Sequence, residues 1–293
     1  LKARVGCWIH ERLLTEASLK FGLRSWLDIR NRHETLCRDA LSNGRICQWQ
    51  GSSRLTVAKV FPENVRRLLE HSLSLCPIDL NFGTLAQSST TPNASFLIAI
   101  GGKDRLRQFR LVLASLRAQR NIASEVIVVE QSPVAVLRNQ LPSDIRFFHD
   151  RVEEGVEFNK SRALNIAASN ARSAHLLIHD ADYLVPTSYA AECCRVLEST
   201  DAVRPVRFAF HLTQSSTDQA LLAQSLPQGL MPEHIVQNNP TPIAIRADTY
   251  WSVGGHDESF YGWGGEDLEF LSRVRLHLIS EGGWLPIIHL WHP

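Results

Sequence analysis

No apolar run in the chain approaches the ~20 residues that a bilayer-spanning helix needs, so a transmembrane protein is not expected. No charge of one sign dominates either: 31 Lys and Arg stand against 30 Asp and Glu, a net charge of +1. A balance that even recruits neither nucleic acid nor an anionic membrane through the whole surface, and any phosphate affinity must come from a local site. No CxxC pair occurs among the six cysteines (Cys7, Cys37, Cys47, Cys76, Cys193 and Cys194), which excludes zinc-ligand spacing and a dense disulfide framework. Reduced, mostly buried thiols in a cytoplasmic protein are the expectation. The glycosylation patterns at Asn93 and Asn159 are short enough to arise by chance, and no signal-peptide pattern stands beside them. The expected location is therefore cytoplasmic, with peripheral attachment to the inner face of a membrane as a variant. There is no internal repeat.

What is present is ordinary globular composition, 44% hydrophobic and 21% charged over 293 residues, enough for one large domain or two. Residues 1–90 read as mainly helical: Leu13, Leu14, Ala17 and Phe21 recur at helical spacing, and Pro62 opens "PENVRRLLEHSLSL". The polar, turn-rich "QSSTTPNAS", Gln87 to Ser95, is the candidate linker to a second unit, 91–293. There the pattern alternates. "FLIAI", "EVIVVE", "IRFFHD" and "HLLI" are buried-strand runs, and helical faces lie between them, one marked by Leu106, Phe109, Leu113 and Leu116. Such alternation predicts an α/β fold with a mostly parallel central sheet covered on both faces. Ligands bind such sheets beyond the carboxyl ends of the strands, where "GGKDR", "EQ" and "DAD" all fall.

Five clusters carry chemistry. In "HDADYL", Asp180 and Asp182 flank Ala181 at a strand end, where both carboxylates can approach one hard cation such as Mn²⁺ or Mg²⁺; a strand-end turn explains the same residues. In "IIHLWHP", His289 and His292 are three apart and can join such a site, or be ordinary core histidines. In "GGKDR", Gly101 and Gly102 allow close approach of a ligand, and Lys103 and Arg105 can meet phosphate, or all four form a solvated turn. In "EFNKSRALN", Phe158 beside Asn159 and Lys160 can stack on a base or sit in the core. Last, "FYGWGGEDLEF" sets Tyr261 and Trp263 among Gly262, Gly264 and Gly265, directly before Glu266 and Asp267. Acids belong in the first turn of a helix, but that leaves the aromatics and glycines without a role. A sugar site uses all of them: rings to stack, glycines to admit a ligand, and carboxylates to accept hydroxyl hydrogen bonds or take a proton.

With "VVEQ", "FNKSRALN", "DADYL", "WGGEDLEF" and "HLWH" in this order, the chain from about Phe96 to Pro293 resembles GT-A fold glycosyltransferases. It is most similar to the β-1,4-galactosyltransferase family and the bacterial family-2 polymerising enzymes. "SVGGHDESF" also resembles the "GGFDE" type of segment in family-2 enzymes. The resemblance implies a metal-dependent inverting enzyme that moves a sugar, of galactose or N-acetylhexosamine type, from a UDP-sugar to a hydroxyl of a saccharide acceptor. Gly101, Lys103 and Arg105 lie where the family contacts the donor's phosphates; Gln131, Phe158 and Lys160 lie where it holds the nucleotide. Within the DxD, Asp180, Ala181 and Asp182 would meet the donor, with Asp182 as metal ligand. His292 matches the family's metal histidine, and His289 falls where another ligand stands. Tyr261, Trp263, Gly264, Gly265 and Glu266 would form the sugar and acceptor site, and Asp267 would be the general base. Three departures stand out. "GGKDR" replaces a proline-aromatic pair, Leu268 replaces a third acid, and the mobile lid that follows the metal histidine in the animal enzymes would be cut away, disordered, or replaced by the segment from Leu212 to Pro240. A retaining transferase or a nucleotidyltransferase on a similar sheet, and a catalytically silent sugar-binding module, remain alternatives.

Overall fold

The computed structural model describes residues 2–21, 26–49, 51–83, 91–101, 105–262 and 264–293, with side chains for all of these except 2, 3 and 10. The fold is α/β with a mostly parallel central sheet, as the alternating pattern predicts. Seven strands form that sheet: Ala94–Ile100 (β1), Ser124–Ser132 (β2), Arg146–Arg151 (β3), His175–Ile178 (β4), Ala202–Val203 (β5), Ile243–Arg246 (β6) and Ile279–Ser280 (β7). Their spatial order is β3-β2-β1-β4-β6-β5-β7, and among them β6 alone runs against its neighbours.

β1 and β2 hold near-continuous apolar runs, Phe96–Ile100 and Val126–Val129, because both of their faces are covered. One face carries the helices Lys160–Ser169 and Glu266–Val274, whose Ala163, Leu164, Phe270 and Leu271 share a buried cluster with Leu97, Ile127 and Leu176. The other carries Leu106–Arg117 and Tyr189–Leu197, with Phe109, Val112 and Tyr189 clustered around Phe96, Ile98 and Val128. Each fully buried Leu, Ile, Val or Phe side chain among these contributes about 1.5–3 kcal/mol. The winding of the sheet reverses between β1 and β4, so its ligand crevice opens at Gly101 and at Asp180 to Asp182.

A second, five-stranded sheet runs Ser53–Arg54, Pro232–Gln237, Val206–Leu212, Leu285–His289, Tyr183–Leu184. Its first strand comes from the N-terminal region, which is mainly helical as expected, with helices at Leu13–Phe21, Thr56–Val60 and Pro62–Leu75. That region also shares the core of the remainder. Cys7, Trp26, Ile29 and Leu68 belong to the same buried cluster as Phe208 and Ile287. The buried Arg207 guanidinium donates to the carbonyl oxygens of Leu27 at 2.9 Å and Ile29 at 2.6 Å. Of the expected linker, residues 87–90 lie outside the described residues, and Ala94 and Ser95 already belong to β1. The segment from Leu212 to Pro240, a candidate replacement for a lid, contributes the helix Gln214–Ala223 and, to the second sheet, the strand Pro232–Gln237. No helix among the described residues is long and apolar enough to cross a membrane.

Candidate active site

After Ile178 the backbone leaves β4 and turns into the second sheet. Leu184 pairs with Ile288 and Tyr183 with His289, antiparallel. The Leu290 N–H then donates to the Asp182 carbonyl at 2.9 Å, so the end of the chain runs back beside the DAD turn. This register puts one Asp182 carboxylate oxygen 3.2 Å from His292 Nε2, 3.7 Å from His289 Nε2 and 2.9 Å from the Arg105 guanidinium. One ligand atom from each of Asp182, His289 and His292 lies within 4.8 Å of the others. A carboxylate oxygen and two imidazole nitrogens at that spacing fit a single Mn²⁺-like ion. Burial alone would push the Asp182 carboxyl up. The His292 hydrogen bond, with His289 and Arg105 nearby, outweighs it and holds the group below its ordinary value. Asp182 in turn raises His292, while burial lowers His289.

Behind His289 lies a feature that the sequence reading missed. The rings of His289 and His211 stack at 4.1 Å, and those of His211 and His234 at 4.4 Å, across three neighbouring strands. Burial pushes His211 down to about 2, so the stack holds neutral imidazole against the candidate ligand. The available signal was a histidine in each of three strand segments, "FHL", "EHI" and "IHL".

A second cluster forms where two helices begin side by side on one face of the sheet. Lys160 is the first residue of one; Glu266 and Asp267 open the other. Lys160 Nζ lies 2.7 Å from Asp180, 2.9 Å from Asp267 and 3.6 Å from Glu266. Thr241 donates to the other Asp180 oxygen at 2.8 Å. Burial would lower Lys160, but Asp180 and Asp267 hold it well above its ordinary range, so it is a cation. Burial raises Asp180 too, and Lys160 more than reverses that. Asp267 goes the other way. Burial raises it to about 6, helped by Asp180 and Glu266 and only partly opposed by Lys160. Neither acid caps its helix: the N-cap is Gly265, and no side chain accepts there.

The glycines of the loop have conformational reasons. Gly264 and Gly265 have φ of +101° and +98°, which L side chains rarely adopt, and a Cβ on Gly265 would press on the Phe260 ring at 3.1 Å. Tyr261 on this loop is 61% exposed and open to a ligand. Gly101, at the end of β1, lies against the Phe158 ring: a Cβ there would stand 3.2 Å from it. Ala181 is buried between the two aspartates. Lys103 and Trp263 lie outside the described residues.

Gln131, expected as a nucleotide contact, lies inside the fold. It is buried, with its amide committed to Asp150 at 2.7 Å and to the Asn159 N–H at 2.6 Å. It thereby positions the start of the Lys160 helix, which Asn159 caps by accepting from the Arg162 N–H at 2.8 Å. Asn159 Nδ2 also donates to the Glu258 carbonyl at 2.7 Å. One turn on, Asn165 bonds the Tyr250 hydroxyl, the His256 N–H and carbonyl, and the Glu258 carboxylate. The two asparagines of "FNKSRALN" thus tie that helix to "GGHDES", and through it to the glycine loop.

Residues 243–282, which hold β6, the glycine loop and the Glu266 helix, match a family model described as the N-terminal domain of galactosyltransferase. The validoxylamine A glucosyltransferases of Streptomyces hygroscopicus subsp. jinggangensis (strain 5008) and subsp. limoneus are each 49% identical over 46 residues, 14% of this chain. The match covers 11% and 10% of those curated relatives, about a tenth of their length. Among solved structures, S. aureus TarS 1-349 is 13% identical, with 67% of this chain and 60% of that one covered, at a TM-score of 0.45.

Proposed function

We propose that the chain is a glycosyltransferase of GT-A type: a metal-dependent, inverting enzyme that transfers a sugar from a UDP-sugar to a hydroxyl of a saccharide acceptor. One observation carries this reading. A cation-ready Asp182–His289–His292 cluster lies one aspartate away from a partly buried lysine–carboxylate cluster, two of whose acids, Glu266 and Asp267, stand within a galactosyltransferase-like segment. Asp182, His289 and His292 would hold the ion. When bound, a Mn²⁺ or Mg²⁺ there offsets charge on the leaving diphosphate. Arg105, 41% exposed at its side chain, and the start of the Lys160 helix are the groups that favour phosphate.

Asp267 takes the proton from the acceptor hydroxyl. A carboxylate raised to about 6 is ionised at neutral pH, yet is a stronger base than an ordinary aspartate. Glu266 accepts hydrogen bonds from sugar hydroxyls, and Tyr261, exposed on the loop that leads to it, offers a ring face. The carboxylate, rather than an amide, at position 267 favours attack by a deprotonated acceptor and hence inversion. The test is UDP release from a panel of UDP-sugars with and without manganese, followed by NMR of the product's anomeric centre. Metal-stimulated release and an inverted product are expected. No release from any donor overturns the reading, and a retained configuration overturns its mechanism.

A further inference from the structure

The N-terminal helical segment is turned inside out. Lys2–Cys7, Trp8–Arg12 and Leu13–Phe21 are continuous, with the middle five residues in a π-helix. Cys7, Glu11, Thr15 and Ser18 face the protein, at 2%, 4%, 0% and 5% exposure. Val5, Trp8, Ile9, Leu13 and Phe21 face out, at 49%, 46%, 45%, 46% and 63%. Soluble helices show the opposite arrangement. The π turn contributes to it. The Leu13 N–H bonds the Trp8 carbonyl, five residues back, which sets Trp8 and Leu13 one above the other.

Charge says what covers this face. Arg4 and Lys20 are exposed at its two ends, with Lys20 over the Phe21 ring at 5.3 Å. Neither acid of the segment opposes them: Glu11 is buried, and Glu16 is paired with Arg67 at 2.9 Å. An exposed stripe of Trp, Ile, Leu and Phe flanked by unopposed cations is the pattern of a helix lying in a membrane interface. Trp8 in particular has the apolar body and polar N–H that favour that layer. A second copy seated on the same face would bring like cations together across a two-fold contact.

We propose that the outward face of residues 4–21 docks the protein on an anionic lipid surface. This does not depend on the glycosyltransferase reading and is measured without donor, acceptor or metal. The experiment is cosedimentation of the whole chain with vesicles of phosphatidylcholine alone, or of equal parts phosphatidylcholine and phosphatidylglycerol, together with its mass in solution by light scattering. Binding to the mixed vesicles, weakened by salt, is expected. Arg4→Ala and Lys20→Ala should each weaken it about fivefold. Trp8→Glu with Leu13→Glu should abolish it while the melting temperature stays near the parent value, since both side chains face out. If that pair fails to fold, the two alanine variants decide. Three results would overturn the proposal: no sedimentation with mixed vesicles, equal sedimentation with both vesicle types, or a dimer that the Trp8→Glu, Leu13→Glu pair dissolves.

Discussion

Asp182 is buried and Asp267 half-buried, yet their surroundings move the two carboxylates in opposite directions. Asp182 meets two imidazoles and a guanidinium and is held below its ordinary value. Asp267 shares one lysine with two other acids and is raised to about 6. A pair of acids pushed apart in this way can divide the labour, one staying charged and able to hold a cation, the other able to exchange a proton near neutral pH. Their mountings differ as well. The Asp182 cluster hangs on strand register and a backbone bond from Leu290. The Asp267 cluster hangs on two helix starts and a glycine loop.

The comparison breaks most sharply at the cation side. Asp182→Asn should abolish manganese-stimulated UDP release while the melting temperature stays within a few degrees. His292→Ala should do the same, since its Nε2 stands at 3.2 Å. His289→Ala, at 3.7 Å, should retain more activity. If the Asp182→Asn protein kept full manganese-dependent turnover, the cluster would be structural rather than a metal site.

The base side should lose less. Asp267→Asn keeps the shape and removes the proton acceptor, so turnover should fall by ~10²–10⁴-fold with UDP binding little changed. An alternative in which the acids only support the helix start predicts about 1 kcal/mol of lost stability and near-normal turnover. Steady-state kinetics with calorimetric UDP titration separates the two.

How legible these sites were follows from their mountings. β1, β2 and the Leu106 helix could be read because burial on both faces leaves unbroken apolar runs and regular spacing. The acids, histidines and glycines could be singled out by residue type. Their partners could not. Lys160 stands 107 residues from Asp267 and bridges two motifs that nothing in its own neighbourhood connects. Gln131 carried the same signal as a ligand contact and turned inward, because Asp150 stands opposite it in the register. The N-terminal helix had readable spacing but not readable facing: Leu13 and Phe21 point outward while Thr15 and Ser18 are buried.

The asparagine tie tests whether the base cluster depends on its second layer. Asn165→Ala removes four hydrogen bonds between the Lys160 helix and the segment that leads to the glycine loop. A loss of about 1–3 kcal/mol in denaturant unfolding is expected, because partly buried partners are left unpaired. Turnover should drop while manganese affinity, set by strand register, stays the same. A parallel loss of manganese affinity would mean that the two clusters share one mounting.

The smallest effect expected is also the most specific to the contrast between the two acids. A base must be ionised to act, and Asp267 ionises near pH 6. Turnover should therefore be level above that pH and fall about tenfold per unit below it. Lys160 is the cation that opposes the rise of Asp267, whereas Asp180 and Glu266 reinforce it. Lys160 itself stays charged throughout this range, being held well above its ordinary value, so it adds no limb of its own. Replacing it by Gln removes the lowering influence and leaves the raising ones. The acid limb of turnover should then move to higher pH, with the size of the move read from rate profiles at saturating donor. Weaker donor binding in that variant would alter the substrate dependence without moving the limb. A limb that stays in place in Lys160→Gln, or is absent from the parent enzyme, would assign the proton transfer to some group other than Asp267.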